Sequence, residues 1–282
     1  MLIDGKVIAQ SIYEDVATRV SRLPFKPIFC DVLIGEDPAS VQYVQMKARK
    51  AEQLGFEFLQ ASFPGSVSEV EVVARIHDIC RMPEVAGLIV QLPIPIGFNK
   101  DTIVNAISLE VDVDCLTQRN AALFYANQLL FVPPTPAAIL AVLDSLPRTH
   151  ALPGARCVVV GQGELVGKPI THLLKARGAQ VEVITRNTVH PELVAAQAEV
   201  LITGVGQPGL ITASWVKDGA VVIDAGTAES GGSVVGDVDA ENVQQKAAFL
   251  SPTPGGVGPI TVAKLFWNVL QVAEAKARVS NK

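Results

Sequence analysis

The stretch Cys157-Val158-Val159-Val160-Gly161-Gln162-Gly163-Glu164-Leu165-Val166-Gly167-Lys168-Pro169 decides how the second half of the chain is read. A short apolar run, three glycines and a helix-compatible segment opening near Pro169 spell strand, turn and helix. In that arrangement the first backbone amides of the helix can face a pyrophosphate. The glycine spacing is one residue longer than the usual dinucleotide fingerprint, and the same pattern also suits a tight connection with no ligand. Strand patterns recur at Val181 to Ile184, Val200 to Thr203 and Ala220 to Asp224, so a doubly wound nucleotide-binding domain is expected here.

Where an acidic side chain usually follows the second strand of an NAD-binding fold, Ile184 is followed by Thr185-Arg186. A planar, permanently charged guanidinium there suits a 2′-phosphate, which favours NADP over NAD. The alternative is a solvated surface charge.

Upstream, Val7, Ile8, Ile12, Val16 and Val20 recur at helical spacing, and the run from Pro27 to Ile34 reads as a strand. Asp37 before Pro38 marks the start of a helix that runs to Leu54 and stops at Gly55. A strand from Phe56 to Phe63 follows. Ser66 with Glu69 reads as a capping box ahead of the stripe Val70, Val73, Ile76 and Ile79. Gly87 to Leu92 then reads as a buried parallel strand whose C-terminal end faces a crevice. Pro133-Pro134-Thr135-Pro136 breaks the chain before a helix from Ala137 to Leu146. After the Gly/Pro-rich hinge at 254–259, the helical pattern from Val262 to Ala273 returns to the first domain. The expected architecture is α/β in two domains, 1–136 with 260–282 and 137–259.

Composition narrows the function. The 282 residues are 49% hydrophobic and 18% charged, enough for a large core. A net charge of -5 supplies no basic field for nucleic acid or anionic lipid. No segment has the apolar length of a membrane span or the layout of a signal peptide, so a cytoplasmic protein is expected. Cys30, Cys80, Cys115 and Cys157 are too scattered for a zinc site or disulfide framework and read as reduced and mostly buried.

Ser40, Tyr43 and Lys47 share one face of the helix after Asp37, placing an aromatic ring beside an amine. A lysine in a closed cleft can exchange protons near neutrality, although a lone lysine is more often a solvated charge. Gln91, at the end of a buried strand, can orient such an amine, and Asp112-Val113-Asp114 can grip a polar heterocycle. Equally, Gln91 can satisfy backbone groups and the aspartates can cap a turn.

Taken in order, Pro38-Ala39-Ser40-x-x-Tyr43-Val44-x-x-Lys47, Gly87-Leu88-Ile89-Val90-Gln91-Leu92-Pro93-x-Pro95, Asp112-Val113-Asp114, Val166-Gly167-Lys168-Pro169, Gly236-Asp237-Val238-Asp239 and Pro254-Gly255-Gly256-Val257-Gly258-Pro259 resemble the bifunctional methylenetetrahydrofolate dehydrogenase/cyclohydrolase family along nearly the whole chain. The resemblance implies hydride transfer from 5,10-methylenetetrahydrofolate to NADP, then hydrolysis of the methenyl product to 10-formyltetrahydrofolate. It implies Lys47 as proton handler supported by Gln91, Tyr43 as the residue positioning the folate rings, and Asp114 as the pterin partner. Gly161, Gln162, Gly163, Arg186 and Thr227 fall to the cofactor, and Tyr43, Gln91, Asp114, Pro254, Gly255 and Gly256 to the folate. No metal is implied, and a homodimer is.

The chain also departs from the family. Gly161-Gln162-Gly163 stands where Gly-Arg-Ser is usual, and Thr185-Arg186 replaces His-Ser, which leaves NAD open beside NADP. Cys115 replaces Gly, Val111 replaces Lys, and Pro134 and Ala138 alter the Pro-Cys-Thr-Pro-x-Gly motif. A homologue with one of the two activities, or a catalytically silent folate or nucleotide sensor, is the competing reading.

Overall fold

The computed structural model describes residues 1–147, 152–230 and 233–280, and it divides into two compact units. One comprises Ser11–Pro134 with Leu265–Lys282, the other Met1–Gln10 with Thr135–Lys264.

The first unit alternates helix and strand: α1 (Gly5–Val20, which belongs here from Ser11 onward), β1 (Ile28–Ile34), α2 (Pro38–Leu54), β2 (Glu57–Phe63), α3 (Glu69–Cys80), β3 (Val85–Val90), α4 (Lys100–Val104) and α5 (Gln118–Tyr125). Its parallel sheet has the order β2-β1-β3, with β1 and β3 buried along their whole length. The chain leaves β1 on one side for β2 and returns on the other as β3, so the order reverses at the carboxyl end of β1. Ligands of open parallel sheets bind at such reversals.

Local chemistry explains α2. Asp37 accepts from the Ser40 amide at 2.8 Å, Pro38 opens the helix, and Gly55 ends it at φ 90°. The α3 cap falls two residues later than expected. Ser68 and Glu71 form the capping box, Val72, Ile76 and Ile79 are buried, and Val70 is 78% exposed. Both Ser66 and Ser68 have glutamate three residues on; the Val67 amide bonds back to Pro64, which keeps Ser66 in a turn.

The second unit contains α6 (Pro134–Asp144), β4 (Arg156–Val160), α7 (Gly167–Ala176), β5 (Gln180–Ile184), α8 (Pro191–Ala195), β6 (Val200–Thr203), β7 (Val221–Asp224), the β8 (Ala228–Ser230) and β9 (Ser233–Val235) hairpin, α9 (Ala240–Val243) and β10 (Phe249–Ser251). The parallel sheet runs β10-β7-β6-β4-β5, so the order reverses at β4. Residues 1–10, expected with the first half, join this unit because the Ile3 and Gly5 amides donate to the Leu250 and Gly255 carbonyls.

The last helix, α10 (Val257–Ser280), starts earlier than its apolar pattern indicates and returns to the first unit as expected. Phe266 packs on Phe29 and Phe56, with ring centroids 5.2 and 5.7 Å apart, and Arg19 grips Glu274 through two hydrogen bonds. No helix among the described residues is long and apolar enough to cross a membrane.

Candidate active site

Three elements of the first unit converge on Lys47. The amine lies on α2 and is only 6% exposed, its side chain crossing toward the sheet. Its Nζ donates to Gln91 Oε1 at 2.8 Å, and Gln91 Nε2 donates to the Leu92 carbonyl at 2.8 Å. The amide therefore has one orientation, oxygen toward the lysine and nitrogen toward the backbone. The Gln91 amide also donates to Val32 at 2.9 Å, fixing it beside β1. Gln91 thus bonds both the amine and a backbone carbonyl.

Asp31 is the site residue that sequence reasoning missed. It sits in mid-β1, fully buried, with Oδ2 2.5 Å from Lys47 Nζ. Burial pushes its carboxyl up from the ordinary range, and the adjacent Lys47 charge pulls it back. One signal was available, since Asp31 is the sole charged residue in the otherwise apolar run from Ile28 to Ile34.

The two aspartates of the 112–114 string divide their work. Asp112 is fully buried and accepts from the Leu116 and Thr117 amides and from Asn120, so it holds the turn. Asp114 is half-buried and belongs to the charge cluster around Lys47. Burial first, then Asp112 and Asp31, push its carboxyl up to about 6 against the pull of Lys47. The backbone between them is anchored by Asn268 of α10, which donates to the Val113 carbonyl at 2.9 Å. Tyr43, one turn before Lys47, is 46% exposed, an aromatic surface open to a ligand. Cys115 follows at φ 59°, a left-handed backbone that suits the glycine it replaces.

In the second unit the glycines have a steric cause. Gly161 lies at φ 94° directly after β4, and a Cβ on Gly167 would stand 2.2 Å from the Gly161 carbonyl oxygen. The start of α7 is thus pressed against the strand end. Val166 gives that helix no side-chain cap, while Gly163 borders open space. Gln162 turns inward, donating to the Gly161 carbonyl at 3.1 Å and to Thr171 at 3.4 Å. Arg186 and Thr227 are exposed, Arg186 just past β5. Two further acids brace the loops nearby. Asp237 accepts from Thr203 and from the Val205 and Gln207 amides, and Asp224 from the Gly226, Asp237 and Val238 amides. Burial lifts Asp224 to about 6 despite those donors. Pro254, Gly255 and Gly256 also belong to this unit, with Gly255 at φ 101° and the Gly256 amide bonded to Pro252.

Residues 3–114 match the catalytic domain of tetrahydrofolate dehydrogenase/cyclohydrolase, and residues 133–277 its NAD(P)-binding domain. A bifunctional protein FolD of Bordetella avium is 40% identical over 277 residues, 97% of each chain. The chain belongs to the tetrahydrofolate dehydrogenase/cyclohydrolase family. It is similar to the solved bifunctional enzyme FolD of Campylobacter jejuni, with TM-score 0.93 and 31% identity over 98% of this chain and 99% of the other. A Trypanosoma brucei FolD structure, complexed with NADP cofactor and inhibitor, gives 0.91 and 28% over 99% and 98%. Membership makes this chain a bifunctional enzyme of one-carbon metabolism, a methylenetetrahydrofolate dehydrogenase and a methenyltetrahydrofolate cyclohydrolase. The expected family, fold class and activity all stand.

Proposed function

We propose that the first unit holds the folate and carries the hydrolytic chemistry on Lys47, and that the second unit holds NADP. The observation that carries this reading is the convergence of Lys47, Gln91 and Asp31 at the carboxyl side of a strand-order reversal. Tyr43 offers its ring to the folate, and Asp114 offers a carboxylate to the donor groups of the pterin.

In hydrolysis, water adds its oxygen to the methenyl carbon and gives one proton to Lys47. Opening of the carbon–N5 bond returns that proton to N5, and the second water proton leaves for solvent as the formyl group forms. Gln91 keeps Nζ pointed at the reacting carbon through both transfers. Hydride transfer needs no proton carrier, only two aligned carbon centres.

The dinucleotide fits the second unit because the start of α7, which has no side-chain cap, lies beside Gly163, where the backbone borders open space. Gly161, Gln162, Gly163 and Thr227 line this region in the present reading, and Arg186 meets the 2′-phosphate. When bound, NADP supplies the hydride acceptor. Gly167→Ala is expected to force α7 off β4, lowering stability by about 1–3 kcal/mol and weakening dinucleotide binding. Thermal melts with and without NADP read both effects.

Pro254, Gly255 and Gly256 are substrate-contacting residues in this reading. The working protein is a cytoplasmic homodimer without nucleic acid, the last supported by its charge of -5. The deciding experiment assays methylenetetrahydrofolate oxidation with NADP and NAD in parallel, and methenyltetrahydrofolate hydrolysis separately. Both activities with NADP preferred is the expected outcome; loss of either, or NAD preferred, overturns the corresponding part.

A further inference from the structure

We propose that Asp31 is a positioning residue for the cyclohydrolase step, its buried carboxylate holding the Lys47 amine in place for its proton exchange with water. The inference rests on Lys47 as the proton carrier.

The geometry gives Asp31 little else to do. Both carboxylate oxygens are shut off from solvent, and neither has a conventional hydrogen bond among the described residues. Among the described residues the cation paired with them is Lys47, 2.5 Å from Oδ2. A central parallel strand, paired with β2 and β3 on both sides, is an unfavourable place for an ionised carboxylate. Removing one partner of such a pair leaves an uncompensated buried charge, so the two are coupled.

Several elements surround the amine. From β1 comes Asp31, from the 112–115 turn Asp114 with Asp112 and Cys115 behind it, from the end of β3 the neutral Gln91, and from α2 itself Tyr43. The nearest of them, Asp31, meets the amine on one side and Gln91 meets it on the other, so Nζ is held fixed between the two.

The test uses the full chain and separate kinetics of the two steps. Asp31→Asn keeps the size of the side chain while removing the charge that holds Lys47. Hydrolysis kcat is expected to fall about tenfold or more, with KM and hydride transfer changed by less than about threefold. An unchanged hydrolysis kcat, or equal losses in both steps, overturns the proposal. Should Asp31→Asn not fold, the carboxyl carbon of Asp31 is followed by NMR in the wild type and in Lys47→Met. In Lys47→Met it is expected to titrate at higher pH, its counter-charge gone, and identical titration in both proteins overturns the coupling. Wild-type hydrolysis by Lys47→Met is a separate outcome: it removes Lys47 as proton carrier, and the proposal with it, even where the NMR titrations show the ion pair.

Discussion

Lys47→Met is expected to lower methenyltetrahydrofolate hydrolysis by about 10²- to 10⁴-fold, the usual contribution of a positioned proton carrier. Folate binding stays measurable, because methionine retains the apolar stem that packs between α2 and the sheet. Two consequences follow from the bonds that disappear. Gln91 Oε1 loses the donor at 2.8 Å that fixes it, and Asp31 loses the charge at 2.5 Å. A buried carboxylate without its cation takes up a proton, so the variant remains foldable at neutral pH. Hydride transfer should fall much less than hydrolysis, since it depends on alignment. Separate measurement of the two steps, with folate binding by fluorescence or calorimetry, checks this; undiminished hydrolysis excludes Lys47 from the role.

The elements that position this site were legible where local chemistry acts alone. Asp37, Pro38 and Gly55 each mark α2 by a bond or backbone angle that involves only near neighbours. The strand ending at Val160 and its glycines were legible for the same reason, and Gly167 adds a steric cause that spacing suggested. Where two local solutions compete, sequence cannot choose: Ser66 and Ser68 both satisfy the capping-box pattern, and only the turn back to Pro64 selects Ser68. Partnerships across the sheet were least legible. Asp31 meets Lys47 because α2 packs back on the strand that precedes it, a tertiary fact with no periodicity to announce it. The division of labour between Asp112 and Asp114 is similar. Both sit in one short string, yet the turn that follows consumes Asp112 and leaves Asp114 to the charge cluster.

Arg186→Ala is expected to weaken NADP binding by about 10- to 100-fold, since a charge-assisted hydrogen bond contributes roughly 1.5–3 kcal/mol, and to change NAD binding about twofold or less. The difference follows from the ligands, which share every group except the 2′-phosphate. Placement favours the arginine over Gln162 for this contact. Arg186 lies exposed just past β5, the strand beside β4, whereas Gln162 is turned inward onto Gly161 and Thr171. An amide engaged in that way braces the turn and carries no charge to offer. Arg186→Lys separates charge from shape: a lysine keeps the attraction but loses the planar fork, so partial retention is expected. Dissociation constants for both dinucleotides, measured on the three proteins at one ionic strength, decide the matter. Equal losses for NADP and NAD would remove Arg186 from recognition of the 2′-phosphate, because that phosphate is the one group the two ligands do not share.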